Sequence, residues 1–365
     1  MDVDVGGFLD QNTTYDYGDY EYKEDSESKG SKAVLIPVLY SVVSVVGLLG
    51  NVLLLVVLAR KRQSWSISDI FISHLGVADI LLLLTLPFWA VQAAHHSGWS
   101  CGGFLCKFSG AVFDINLYVG IFLLVCICLV HCLSIVHTTQ LRFLKTPVFA
   151  HISCALVWVI SLLLTIPDWI FLEAWKDEAK GRTLCAHIYS GSQLLSRLPH
   201  HILGFLLPAA ILIICCSCML ISLQSKSKSP QKQRVITVIL LMVVVFFLLW
   251  MPYNITLIVD TFRSRSKETQ GGSSGNPSEG SLKAALIGTS ALACVHACLR
   301  PLLYLSLCGN FRKRILATLR CTTVESKSSL WELGVGEEAL PDQSHEREEL
   351  KQMTNAKTQV PSAQC

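Results

Sequence analysis

Charged residues are scarce in this sequence. Asp, Glu, Lys and Arg form 16% of its 365 residues, whereas soluble proteins carry about 25%. Hydrophobic residues form 52%, and the mean hydropathy is +0.48. These values, together with repeated long apolar runs, exclude an ordinary soluble domain and indicate a membrane protein. The net charge is only +3, so no nucleic-acid partner is expected.

A cleavable signal peptide is also missing, because the N-terminus is acidic and polar, without a basic start or an apolar core. The sequence has 15 cysteines, but most lie inside apolar runs, where they pack as small hydrophobic residues, so a disulfide scaffold is excluded. No constellation of metal ligands, or of a nucleophile and its base, is evident. We therefore expect no metal, no cofactor and no enzyme activity. His200 and His201 are interpreted as loop or interface residues.

Seven apolar segments follow one another along the chain. Each is long enough to cross the roughly 30 Å hydrocarbon core of a bilayer as a helix. Prolines fall inside six of them, which membrane helices tolerate because neighbouring helices satisfy the freed backbone groups. The predicted fold class is therefore all-α, a seven-transmembrane helix bundle over residues 33–308. The segments lie near 33–59, 67–94, 103–136, 148–173, 198–223, 234–262 and 282–307.

Clusters of Lys and Arg predict the orientation. They follow the first, third, fifth and seventh apolar segments, so all of them fall on one side of the membrane. The positive-inside rule puts that side in the cytosol. The predicted location is the plasma membrane, with the N-terminus extracellular. The clusters are Arg60–Arg62, Arg142 with Lys145, Lys226–Arg234 and Arg312–Arg314.

Polar segments flank the bundle. Residues 1–32 are acidic and rich in tyrosine, and residues 321–365 are polar, so they are predicted to be a disordered extracellular arm and a disordered cytoplasmic tail. Residues 309–320 combine apolar and basic side chains, which predicts a short amphipathic helix on the membrane surface after helix seven. Asn12 begins an Asn-Thr-Thr glycosylation sequon. Arg263–Gly280, rich in Ser and Gly, is predicted to be a flexible outer loop.

Spaced motifs relate the chain to a known family. Six of them, one in each helix except the third, are Gly50–Asn51, Leu75–Asp79, Trp158, Pro208, Trp250–Tyr253 and Pro301–Tyr304. Together they resemble rhodopsin-like (class A) G-protein-coupled receptors over residues 33–320. Leu84–Trp89, Leu133–His137 and Ile166–Asp168 narrow the resemblance to chemokine receptors, nearest to the CXC chemokine receptor three group. A seven-helix transporter is a different class of protein that could also have this helix count. It would need repeat symmetry around a midplane site, and we find no repeat.

The resemblance implies a CXC-type chemokine, a basic extracellular protein, as the ligand. It also implies a disulfide between Cys106 and Cys185. The family's second outer bridge is missing, because neither the N-terminus nor the last outer loop has a cysteine. The acidic arm would attract the chemokine; its Tyr15, Tyr17, Tyr20 and Tyr22 stand in the acidic context in which the family sulfates tyrosine. The implied ligand cavity is lined by Trp89, Asp114, Tyr118, Asp168, Tyr253, Asp260 and Ser290.

Several switch positions differ from the family pattern. Val130, His131 and Cys132 replace the family's Asp-Arg-Tyr at the inner end of helix three. His131 is shorter than arginine and cannot make its forked contact. Cys216 replaces a helix-five tyrosine, and Arg300 replaces the asparagine that precedes Pro301. The other switch positions are Asp79, Asn116, Trp250 and Tyr304.

Arg300 raises a separate question. In the family, Asp79 lines a sodium site in the membrane middle, near the helix-seven asparagine. An unpaired arginine at that depth costs at least ~2.5–3.5 kcal/mol, so Arg300 needs a partner. Asp79 is the candidate, and the guanidinium would then replace the sodium ion. The alternative is that Arg300 reaches a water-filled cavity without pairing.

These residues favour a cell-surface receptor that binds and internalises chemokine with little or no G-protein signalling, as the family's scavenger receptors do. The alternative is an ordinary Gi-coupled CXC chemokine receptor that mediates chemotaxis. Arrestin and receptor kinases are candidate partners of the Ser/Thr-bearing tail. The lipid bilayer is the remaining partner, and coupling to a G protein is doubtful.

Overall fold

Seven membrane-length spans make up the fold. The computed structural model describes residues 24–60, 65–95, 98–136, 146–177, 181–187, 197–224, 230–270, 277–307 and 315–316. The helices in these ranges are α1 (Glu24–Arg60), α2 (Ile67–Ala94), α3 (Gly102–Val136), α4 (Pro147–Phe171), α5 (Leu207–Gln224), α6 (Pro230–Gln270), α7 (Pro277–Cys294) and α8 (His296–Leu307). Within them, seven spans are long and apolar enough to cross a membrane. The predicted seven-helix bundle is confirmed.

Some helix ends differ from the predicted boundaries. α1 begins at Glu24, ahead of the expected start at 33, and α6 continues to Gln270, into the segment expected to be a loop. Both extensions contain Glu and Lys, which are good helix formers, so a helix nucleated by an apolar run continues through them. Of the predicted surface helix over 309–320, only Ile315 and Leu316 are described, and both are helical.

Local signals at the helix starts explain two of the boundaries. Ser66 caps α2: its hydroxyl accepts a hydrogen bond from the Asp69 backbone N–H at 3.2 Å, and Asp69 accepts one from the Ser66 N–H at 2.8 Å. This reciprocal pair of hydrogen bonds satisfies two backbone N–H groups that have no acceptor within the helix. Thr146 caps α4 with its hydroxyl alone, which accepts a hydrogen bond from the Phe149 backbone N–H at 3.3 Å. Pro147 occupies the first helical position, where no backbone donor is lost.

Helix α3 lies at the centre of the bundle. It contacts α2, α4, α5 and α6. Its Leu117, Ile121 and Leu123 are fully buried. Apolar residues on the peripheral helices, such as Ile214 and Ile221 of α5, are largely exposed. This arrangement is expected in a bilayer, where the surface around the bundle is as apolar as its core.

A β-hairpin between α4 and α5 was not expected. Strands β1 (Leu172–Asp177) and β2 (Arg182–His187) pair antiparallel, with Ala174 opposite Cys185. Cys185 forms a disulfide with Cys106 at the start of α3, as the resemblance implied. The Trp99 N–H donates to the Thr183 carbonyl at 2.7 Å. We call this end of the bundle the hairpin end.

Two interruptions of the regular α-helix turn side chains toward the interior of the bundle. A π-helical turn, His200–Leu206, precedes α5, and its wider winding turns His200, His201 and Phe205 inward, where all three are buried. The seventh span bends at Val295, between α7 and α8. The bend precedes His296 and Arg300, which are both buried.

Candidate functional site

Three helices bring polar side chains together below the hairpin. Asp114 of α3, Asp168 of α4 and His200 each offer a ligand atom, and these atoms lie within 4.8 Å of one another. We call these three residues the acidic triad. Asp114 is only 4% exposed and His200 only 5%. The sequence led us to expect Asp114 and Asp168 in one cavity, but it gave no reason to add His200.

Tyr118 lies beneath the triad on the same face of α3, one turn after Asp114. Its hydroxyl is 2.7 Å from His200 Nδ1, and the residue is fully buried. Gly204 makes this packing possible, because a Cβ at that position would overlap the Tyr118 ring. The phenol thus fixes the orientation of the imidazole.

A second polar group joins the start of the fifth span to α6. Arg197 Nη1 donates to Asp260 Oδ2 at 2.8 Å and to Thr261 Oγ1 at 3.2 Å. His201 Nε2 lies 3.1 Å from the same threonine oxygen. Asp260, expected to meet a basic ligand, is therefore already bonded to an internal cation. A ligand cation would have to share or displace Arg197.

The other expected cavity residues are spread over neighbouring packing groups. Trp89 packs against Trp99, with ring centroids 5.6 Å apart, beside the disulfide rather than against the triad. Tyr253 packs edge-on to Phe113 at 5.1 Å. The Ser290 hydroxyl donates to the carbonyl of Ile287 within α7.

Aromatic rings lead from this cavity toward the middle of the bundle. Trp250 is fully buried, with Phe113 and His296 both at 5.2 Å between ring centroids. Phe246 lies 6.0 Å from Trp250 and 6.3 Å from His296. Sequence reasoning missed His296. An ionisable residue inside an apolar run is itself a signal of function in a membrane helix and could have identified it.

Asp79 occupies the centre of a buried ionic cluster. Arg300 Nη1 lies 2.6 Å from Asp79 Oδ2 and 3.5 Å from the Leu75 carbonyl oxygen. Asn116 Nδ2 donates to Asp79 Oδ1 at 3.1 Å, and His296 Nε2 is 3.4 Å from the same oxygen. Asp79 is fully buried, and Arg300 is 7% exposed. The guanidinium therefore pairs with the carboxylate, and Arg300 also borders a narrow space lined by Leu124, Met242, Val245, Phe246, His296 and Leu303.

Comparison with known proteins then identifies the family. The family model described as 7 transmembrane receptor (rhodopsin family) matches residues 50–304. The chain is 37% identical over 322 residues to C-X-C chemokine receptor type 3 of Bos taurus, and 36% identical over 325 residues to that of Homo sapiens. Each match covers 86% of this chain and 86% of the relative. The chain belongs to the chemokine receptors of the rhodopsin family. It is thus a multi-pass plasma-membrane protein and a member of a receptor family, not of an enzyme family.

In this chemokine receptor the altered positions Val130, His131 and Cys132 lie at the end of α3 opposite the hairpin. His131 Nε2 is 3.4 Å from the Ser68 hydroxyl of α2. Val130 and Cys132 are half-buried against the core. Cys216 of α5 contacts the thiol of Cys128 on α3.

The retained Tyr304 contacts α6. Its hydroxyl is 3.8 Å from the Met242 sulfur, and its ring is buried. The remaining expected residues of the receptor, Asn12, Tyr15, Tyr17, Tyr20 and Tyr22, lie outside the described residues.

Proposed function

We propose that this receptor binds a CXC-type chemokine at its hairpin end, which faces outward, and internalises it without activating a G protein. The relatives are named C-X-C chemokine receptors, which supports a chemokine as the ligand. The proposal has two parts, binding at the hairpin end and loss of coupling at the opposite end. Different residues support each part.

The binding part rests on charge complementarity. Asp114 and Asp168 place carboxylates within 4.8 Å of His200 in the bundle, and the segment 1–32 is strongly acidic. Opposite charge on a flexible arm and in a cavity raises the association rate of a basic protein and selects against acidic ones. The Cys106–Cys185 disulfide fixes the hairpin above this cavity.

The loss of coupling begins at His131. An arginine at that position presents a planar fork that can bond two acceptors at once, whereas an imidazole presents single ring nitrogens. The described contact of His131, 3.4 Å to the Ser68 hydroxyl, is a single one. Cys216 adds a second change, because a thiol is a weak donor and has no phenol ring to span the gap between helices.

The buried Asp79–Arg300 pair is the observation that carries the proposal. It joins α8 to α2 at 2.6 Å, inside the bundle. Breaking a buried ion pair costs about 3–5 kcal/mol. This cost lowers the population of any state in which the pair is broken by about 10²–10⁴-fold. A ligand can shift a two-state equilibrium only by its differential affinity for the two states. The pair therefore opposes movement of α8 away from α2.

An ordinary Gi-coupled receptor is the second candidate. The observation that favours it is the retained aromatic packing of Trp250 against Phe113 and Phe246. Together with the buried Tyr304, it supplies a route by which ligand binding could still move α6.

Stepwise restoration separates the two candidates. Gi activation is measured in the parent, in Val130→Asp/His131→Arg/Cys132→Tyr, and in that triple variant with Cys216→Tyr and Arg300→Asn added. We expect no response from the parent, little from the triple variant and a measurable response from the full set. Surface expression of each variant is the control. A full Gi response from the parent would refute the loss of coupling.

A further inference from the structure

A group of free cysteines lies between α3 and α5, in the half of the bundle away from the hairpin. It consists of Cys128 and Cys132 of α3 and Cys215, Cys216 and Cys218 of α5. The two on α3 are one helical turn apart, so they share a face of that helix. The proposed function uses Cys132 and Cys216 only for the side chains that they replace, and it gives the thiols no role.

Two of these thiols meet across the interface between the helices. The Cys128 thiol donates a hydrogen bond to the Cys216 sulfur. Each residue lies about two turns before the last residue of its helix, which is Val136 in α3 and Gln224 in α5. The two sulfur atoms are thus at the same depth in the bundle. They would form a disulfide if their separation shortened to about 2 Å.

Burial gives the two thiols different reactivity. Cys128 is fully buried, whereas Cys216 is partly exposed, and oxidation of a thiol follows its exposure. A sulfur that accepts a hydrogen bond is also the better nucleophile of a thiol pair, because the bond stabilises its thiolate. Cys216 is therefore the thiol that an oxidant meets first, and Cys128 is in place to react with the oxidised sulfur.

We propose that Cys128 and Cys216 are a redox-sensitive pair, which hydrogen peroxide converts into a disulfide between α3 and α5. The Cys216 sulfur attacks peroxide, the O–O bond breaks, and a sulfenic acid and one water form. The Cys128 sulfur then attacks that sulfur, the S–O bond breaks, and the hydroxyl leaves with the Cys128 proton as a second water. The two sulfurs lose two electrons, which the peroxide oxygens gain.

The bond would tie α3 to α5 at the position where the family has a tyrosine. In the proposed orientation this end of the bundle faces the cytosol, where thiols are kept reduced. The pair is thus open at rest and joined while peroxide is raised. The inference rests on the proposed function for this orientation only.

Peroxide treatment of a cleavable receptor tests the pair. A protease recognition sequence is inserted between Gly191 and Ser192, so that cleavage separates α3 from α5. The Cys106–Cys185 disulfide lies wholly within the N-terminal fragment and does not hold the two fragments together. Cells expressing the full-length receptor are treated with hydrogen peroxide, their free thiols are alkylated, and the cleaved receptor is run on a non-reducing gel.

We expect two fragments from untreated cells and a full-length band after peroxide. A reductant should convert that band back into the two fragments. Peroxide should also raise the thermal unfolding midpoint of the purified receptor, because the new bond closes a loop in the unfolded chain.

Variants assign the bond to these residues. Cys216→Ala and Cys128→Ala should each lose the full-length band and the rise in the midpoint. Cys126→Ala is the matched control, because Cys126 is also on α3 and partly exposed but lies near Cys154 of α4. This control and Cys215→Ala should both keep the band of the parent. Surface expression shows that each variant is folded.

Three results would overturn the pair. One is a parent receptor that stays in two fragments at peroxide concentrations that oxidise other thiols of the same cells. Another is a full-length band before peroxide is added, which would make the bond permanent. The third is a band in Cys216→Ala or Cys128→Ala as strong as that of the parent, which would assign the bond to other cysteines, such as Cys132 with Cys218. The assay contains no chemokine and records no G-protein response, so its outcome is independent of the proposed loss of coupling.

Discussion

Replacing Asp79 by Asn should leave a buried cation without its counter-ion. Arg300 is 7% exposed, and its described contacts are Asp79 at 2.6 Å and the Leu75 carbonyl at 3.5 Å. The carbonyl is too distant to compensate for the lost carboxylate. Removing one partner of a buried pair typically costs about 3–5 kcal/mol, against a total stability of about 5–15 kcal/mol. Asp79→Asn should therefore lower the thermal unfolding midpoint by about 6–20 °C and reduce surface expression.

Arg300→Asn should have a different effect. It leaves the Asp79 carboxylate with Asn116 at 3.1 Å and His296 at 3.4 Å. The vacated volume then offers oxygen ligands to a small cation, so sodium should stabilise this variant and change its ligand affinity. The parent should not respond to sodium, because the Arg300 guanidinium already supplies the positive charge beside the Asp79 carboxylate.

The assay compares purified receptors in sodium chloride and in choline chloride at equal ionic strength. The double variant Asp79→Asn/Arg300→Asn should recover much of the stability that Asp79→Asn loses, because it removes the stranded charge. Leu302→Ala is the matched control: Leu302 lies on the same helix, is 43% exposed and is outside the ionic cluster, so this variant should change the midpoint little. A parent midpoint that rises with sodium as much as that of Arg300→Asn would refute the reasoning.

Three further predictions follow from other contacts. Arg197→Ala should free the Asp260 carboxylate for the ligand and tighten chemokine binding by about tenfold, which is the free energy of one charge-assisted hydrogen bond. An equilibrium dissociation constant no lower than that of the parent would contradict this. Cys106→Ser should lower the free energy of unfolding by ~4–5 kcal/mol. The disulfide joins residues 79 apart in the sequence, so its loss raises the chain entropy of the unfolded state. Denaturation with and without reductant checks that value, and a reduced parent as stable as the oxidised one would rule it out. Replacing Tyr15, Tyr17, Tyr20 and Tyr22 by Phe should slow chemokine association and flatten its salt dependence; unchanged association rates at low salt would remove the arm from the mechanism.

The apolar runs predicted the bundle because length and hydrophobicity alone decide whether a helix can span a bilayer. Arg300 is a second case in which the sequence was informative. A charge at membrane depth requires a partner, and the family resemblance made Asp79 the candidate. The structure brings the two to 2.6 Å.

The β-hairpin and the histidines were beyond sequence reasoning. Leu172–Asp177 and Arg182–His187 are short and partly polar. The second strand is joined to the bundle by the disulfide of Cys185 and by the hydrogen bond from Trp99 to Thr183. His200 turns inward because the fifth span begins with a π-helical turn, which shifts the face that each residue presents. Arg197 and Asp260 are 63 residues apart, and nothing in either segment indicates that they meet.

Chemokine uptake and G-protein activation measured in the same cells test the central claim most directly. Cells expressing the receptor are given a panel of labelled CXC chemokines, and cells expressing C-X-C chemokine receptor type 3 serve as the matched control. Internalised label and Gi activation are recorded with and without pertussis toxin. We predict that the receptor removes at least one chemokine from the medium while Gi activation stays at the level of untransfected cells. A chemokine-dependent Gi response that pertussis toxin abolishes would contradict the account.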